Sequence, residues 1–126
     1  MSKKEIVKID AAAPNPNLSP ATTFGNLVFV AGQTGSHPDT GELGKDIREQ
    51  TRQTLANLTR ILSAAGLSMA NVVNMRVVLR NTEDFAAFNE SFREFMAGEK
   101  VTRTCIGGTP HRKGVNIEID CIASFE

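Results

Sequence analysis

The stretch that decides the fold is Val115-Asn116-Ile117-Glu118-Ile119-Asp120-Cys121-Ile122-Ala123, read with Thr102-Arg103-Thr104-Cys105 before it. Successive side chains of a strand point to opposite faces. Val115, Ile117, Ile119, Cys121 and Ala123 therefore share one apolar face, and Asn116, Glu118, Asp120 and Ile122 share the other. Such a strand belongs inside a sheet, with two carboxylates on its second face. A Gly/Pro-rich break separates it from a strand over 102–107. A hairpin centred between His111 and Arg112 sets Arg103 opposite Asp120. A slip of one residue sends one of the two to the other face. A guanidinium beside a carboxylate can hold an acidic ligand while the carboxylate handles a water.

Upstream of this pair, Phe85, Phe88, Phe92 and Phe95 recur at spacings of three and four. They mark the core face of a helix from an Asn81/Thr82 cap to Gly98. Residues 71–79 form a β-branched run and read as a strand. Before it, Asp46 with Glu49 three residues on is an N-terminal capping pair. Ile47, Leu55, Leu58, Ile61, Leu62 and Ala65 continue as one apolar stripe, with Thr51 filling the missing turn, until Gly66 stops the helix. Residues 22–31 read as a hairpin turning at Gly25-Asn26, with a second strand apolar enough for burial on both faces. The segment 37–42 is a polar turn, 13–20 is a proline-rich loop, and 4–9 is a short strand. The order βββ-α-β-α-ββ predicts one α+β domain over 1–126, a mixed sheet with two helices on one face. Two helices cover one face only. The apolar content left on the other face calls for a partner subunit.

Composition narrows the function. The chain has 14 Lys+Arg and 14 Asp+Glu, so it lacks the basic footprint of nucleic-acid or anionic-membrane binding. It has no Trp or Tyr for base stacking. The start MSKKEI is too polar for a signal peptide, and no apolar run approaches a membrane span, so the expected compartment is the cytoplasm. Cys105 and Cys121 both sit in expected strands, and His37 and His111 are isolated in turn-like segments. No metal site is expected.

The chain resembles the Rid family, the reactive intermediate deaminases also called YjgF or L-PSP proteins. The resemblance rests on NLVFVAGQ (26–33), TGE (40–42), QTRQTLANL (50–58), ILSAAG (61–66), NVV (71–73), FNESF (88–92), TRTC (102–105) and EIDCIA (118–123). It covers nearly the whole chain in order. It implies a chorismate-mutase-like α+β subunit and a homotrimer with active sites between subunits. The implied chemistry is cofactor-independent hydrolysis of enamines and imines, such as 2-aminoacrylate and its imine tautomer, to 2-oxo acids and ammonia.

Residue by residue, the resemblance makes Arg103 the carboxylate-binding arginine and Asp120 the carboxylate that positions water. Gly32, Asn89 and the Cys105 backbone become pocket residues. Leu18 stands where the family has a pocket tyrosine, Ala31 where it has a serine and Val101 where it has a proline. Leu18 therefore leaves an apolar wall and implies a larger or more apolar substrate. Read alone, Arg103 is a structural ion-pair partner of Glu118 or Asp120 at a subunit interface, and Glu118 reads as scaffold; the motif around Arg103 favours the carboxylate-binding role. Two functions follow: an imine/enamine deaminase, or a trimeric module that binds 2-oxo acids without turnover. A ribonuclease, suggested by one name of the family, fits the neutral charge worst.

Overall fold

The computed structural model describes residues 3–9 and 15–126; positions 13 and 14 of the proline-rich loop assigned above lie outside them. Six strands and two helices follow the expected order. They are β1 (Glu5–Val7), β2 (Ala21–Phe24), β3 (Leu27–Thr34), α1 (Ile47–Ala64), β4 (Val72–Leu79), α2 (Phe85–Met96), β5 (Thr102–Gly107) and β6 (Ile117–Ser124). The strands form a single mixed sheet in the order β1-β2-β3-β6-β4-β5. This is the chorismate-mutase-like α+β architecture that the resemblance implies.

Local signals account for the element ends. Asp46 accepts a hydrogen bond from the Glu49 amide at 2.9 Å and caps α1. The Glu49 carboxylate reaches back one residue further than a standard capping box, to the Lys45 amide at 3.0 Å. At the other end, Gly66 adopts φ +79°. Its N–H bonds to Ser63 O, and the Leu67 N–H bonds to Leu62 O. This is a Schellman closure that only glycine enters without strain. α2 begins with a single 3-10 turn at Thr82–Asp84, so the regular helix starts three residues later than Asn81/Thr82 suggests.

The core lies between the helices and one sheet face. Leu55, Leu58, Ile61 and Leu62 of α1 meet Val28, Met75, Val77, Ile117 and Ile119 of the sheet. Phe88 and Phe92 of α2 join them, but Phe85 does not, being 43% exposed. The stripe of α1 also contains Gln50, Thr51, Thr54 and Asn57, all buried. On the far face Ile6, Phe24, Leu27, Phe29 and Ile106 stand exposed in one protomer. β3 is thus buried on one face within the chain, where its continuous apolar run suggested two.

The hairpin of the last two strands does not form. β5 pairs in parallel with β4, placing Arg103 beside Met75. β6 runs between β3 and β4, antiparallel to both, placing Asp120 beside Arg76. Two causes favour this arrangement. α2 is a crossover of the kind a parallel pair requires. The fully apolar face of β6 buries more surface in the sheet centre than at an edge, whereas Thr102 and Thr104 suit an edge strand. Residues 108–116 carry the chain across β4.

Candidate active site

Arg103 projects from edge strand β5 to the helix side of the sheet, as does its register partner Met75. Its guanidinium carbon sits 4.7, 5.1 and 5.8 Å from the ring centroids of Phe92, Phe88 and Phe85. Three rings on successive turns of α2 therefore back one cation. Among the described residues Arg103 enters no ion pair and no side-chain hydrogen bond. Its donors are available to a ligand, and its reach is fixed by the rings behind it. Asn89 lies on α2 four residues after Phe85 and three before Phe92, at the flank of the same patch and half-buried.

Cys105 follows two residues after Arg103 on the same face. Desolvation raises its thiol above the ordinary range, against a smaller lowering by the Arg103 charge. The thiol stays protonated near neutrality and is a poor nucleophile. The backbone of β5 offers more, because an edge strand has amide and carbonyl groups on its outer side without ladder partners.

Asp120 lies on the other face of the sheet. It accepts from Arg76 Nε at 3.1 and 3.2 Å and pairs with Arg76 Nη2 at 3.0 Å. The expected Arg103–Asp120 juxtaposition is therefore corrected. The two residues are on opposite faces, and the guanidinium beside Asp120 belongs to Arg76.

Glu118, set aside as scaffold on sequence grounds, is the carboxylate that the geometry singles out. It shares the open face with Asp120 yet enters no ion pair among the described residues. Its carboxylate lies directly on Gly32: a Cβ there would fall 2.8 Å from Glu118 Oε2 and 3.0 Å from Cδ. Gly32 is needed for this approach, and it sits where the β3–β6 register shifts between Val30 and Gln33. The sequence signal that pointed here was the family glycine itself. Only the bulge shows which carboxylate it admits. Leu18 is 61% exposed, in the loop leading into β2.

The six expected site residues thus fall into separate groups. Arg103, Cys105 and Asn89 gather at the β5/α2 edge, while Gly32 and Leu18 belong to the β2–β3 side, with Glu118. β6 and β4 intervene between β3 and β5, about 14 Å at ~4.8 Å per strand. Asp120 lies between the groups, on the open face. A half-site at a sheet edge has few walls, and the cleft of about 650 Å³ beside His37, Arg52, Gln53 and Phe95 contains none of the six. No cluster of three or more metal-capable His, Cys, Asp or Glu side chains exists among the described residues. No helix of the described residues is long and apolar enough to cross a membrane.

Comparison with known proteins agrees with this architecture. The family model described as Endoribonuclease L-PSP matches residues 8–125. A RutC family protein of Pyrococcus horikoshii is 40% identical over 125 residues, 98% of this chain and 99% of its own. A 2-iminobutanoate/2-iminopropanoate deaminase of Escherichia coli is 33% identical over 126 residues, 98% of each. The crystal structure of E. coli TdcF with bound serine superposes with a TM-score of 0.87 at 32% identity, covering 97% of this chain and 99% of that one. With a fold that superposes over nearly its whole length and a family model spanning nearly every residue, the chain belongs to the endoribonuclease L-PSP family, the group also called Rid or YjgF.

Proposed function

We propose that the protein is an imine/enamine deaminase that works as a homotrimer in the cytoplasm. Its substrates are imino acids like 2-iminopropanoate, with preference shifted toward larger or more apolar members. The observation that carries this reading is the Arg103 guanidinium, without an ion-pair partner among the described residues and held against three phenylalanine rings at a sheet edge. A planar fork with free donors fits a carboxylate bidentately. The deaminase named among the relatives supports the same chemistry.

The substrate carboxylate docks on Arg103, flanked by Asn89 and the backbone around Cys105. An enamine first takes a proton on its terminal carbon and gives one up from its nitrogen, becoming the imine. Water adds to the C=N carbon, its oxygen forming the new C–O bond and a proton passing to a carboxylate. The carboxylate then returns that proton to the nitrogen of the carbinolamine. The hydroxyl proton then passes through the carboxylate to that nitrogen, the C–O bond becomes C=O as the C–N bond breaks, ammonia leaves and the 2-oxo acid remains. Glu118 is the better candidate for this acid/base role, because Arg76 already holds Asp120. Imines of this kind hydrolyse readily in water, so positioning and one proton carrier suffice.

In one protomer Glu118 and Gly32 cannot meet Arg103. The exposed Leu27, Phe29 and Ile106 give a neighbouring subunit an apolar face to cover. A closed ring of subunits places the β3/β6 side of one against the β5/α2 edge of the next. Leu18 then contributes an apolar wall. The test has two arms. Light scattering should give about three times the 13.6 kDa chain. A PLP-dependent dehydratase or an amino-acid oxidase would generate imino acids while ammonia release is followed with and without the protein. No acceleration on any imino acid, with 2-oxo acids still bound, would replace this reading by the non-catalytic binding module. The Arg76–Asp120 pair, which occupies one of the two carboxylates, is the observation favouring that alternative.

A further inference from the structure

Two fully buried amides of α1 have no place in the reaction described so far. Gln50 and Asn57 stand two turns apart on the helix face that elsewhere carries Leu55, Leu58 and Leu62. They are 2% and 5% exposed. Buried amides are costly unless every polar atom finds a partner. Thr51 and Thr54 beside them satisfy their hydroxyls on the helix itself, bonding to Ile47 O and Gln50 O. Gln50 and Asn57 instead reach out of the helix to the segment that follows Gly32 and to the segment that precedes Glu118.

Asn57 Nδ2 donates to Thr34 O at 2.9 Å and to Ser36 O at 2.8 Å, while its Oδ1 accepts from Gln53 Nε2 at 3.0 Å. Thr34 is the register partner of Glu118 and lies two residues beyond Gly32. Gln50 Oε1 accepts from the Asn116 amide at 2.8 Å, two residues before Glu118. Its Nε2 donates to Gly44 O and Gly114 O, each at 3.0 Å. These bonds hold both strands at the end of the β3–β6 ladder just beyond its irregular part. Pairing is in register up to Val30 and resumes at Gln33, one residue shifted. A bulged ladder does not by itself fix the residues inside the bulge. The helix supplies the missing constraint on both strands from that end.

We propose that Gln50 and Asn57 are positioning residues that set the Glu118 carboxylate over Gly32 in its water-holding orientation. The inference rests on the deaminase reading. It adds that α1, otherwise a packing helix, carries the support for the acid/base group. Neither amide bonds to Arg103, so substrate docking is independent of them.

The test is a double-mutant cycle in the full-length protein with a coupled imine-hydrolysis assay. Asn57→Ala leaves room for a water to satisfy the two carbonyls, so the fold survives while the constraint relaxes. Its kcat should fall about tenfold with KM within twofold of wild type, since KM reports the Arg103 dock. Glu118→Gln should remove most activity. Adding Asn57→Ala to Glu118→Gln should cost nothing further, because the amide acts through the carboxylate. Gln50→Ala should repeat the pattern and stands in if Asn57→Ala does not fold. Equal fold-losses in both backgrounds, or an unchanged kcat in a folded Asn57→Ala protein, overturn the inference. Wild-type protein with no acceleration instead overturns the deaminase reading, and the inference with it.

Discussion

Replacing Arg103 by alanine separates a docking role from a packing role. The guanidinium touches no acceptor among the described residues, so its removal breaks no hydrogen bond or ion pair there. What goes is its stacking on Phe85, Phe88 and Phe92. A cation over an aromatic ring is worth about 0.5–1 kcal/mol where water has access. Removing a half-buried unpaired charge recovers part of that loss. The net stability change should therefore stay below ~1.5 kcal/mol, with the assembly intact. Activity should respond far more. A bidentate charged contact in a partly desolvated site is worth roughly 2–4 kcal/mol, which at ~1.4 kcal/mol per decade is a loss of about 30- to 700-fold in kcat/KM. Arg103→Lys should rescue poorly, since an ammonium offers no fork and stacks less well on the rings. The coupled assay with several imino acids reads the loss, and light scattering verifies the assembly. Full activity of a folded Arg103→Ala protein on every imino acid tested would refute carboxylate docking at this residue. A large stability loss with unchanged kcat/KM would instead assign Arg103 to packing.

Other perturbations have separable outcomes. Glu118→Gln should depress hydrolysis more than Asp120→Asn, because Arg76 already engages Asp120 on both oxygens; the reverse order in kcat would return the acid/base role to Asp120. Asp46→Ala removes the 2.9 Å cap and should cost about 1 kcal/mol, seen as a lower denaturation midpoint with activity unchanged. Burial, then the Asp120 charge, push the Cys121 thiol up to about 12 from an ordinary 9.0. Between those values the unfolded chain releases a proton that the folded chain keeps, so this group's contribution is whole below pH 9 and declines as pH rises toward 12. The slope is at most about 1.4 kcal/mol per pH unit. Chemical denaturation from pH 8 to 11 should show a shallower decline in Cys121→Ala than in wild type, and identical slopes would contradict the burial argument. Cys105→Ser should leave turnover within about twofold, because the residue is proposed to contribute backbone and its raised thiol is a poor nucleophile.

Local physics made much of this protein legible before folding. The Asp46 cap, the Gly66 closure, the Gly25-Asn26 turn and the alternation of 115–123 are written within a few residues of where they act, and each element formed where its pattern stood. The motif around Arg103 marked the family. Three things lay beyond sequence reading, for one reason: each depends on which segments become neighbours. Strand pairing depends on the burial that each strand gains in competition with the others, so β6 took the sheet centre and the hairpin with β5 was lost. That choice gave Asp120 to Arg76 and left Glu118 over Gly32 with no ion-pair partner among the described residues. Phe85 carries the periodicity of a core residue, yet it sits half-exposed beside Arg103, because a helix lying over an edge strand buries only part of its apolar stripe. Sequence determines the elements through short-range geometry. Tertiary structure alone decides which charges meet, because a carboxylate's partner is set by register and face, and one strand's change of place alters both.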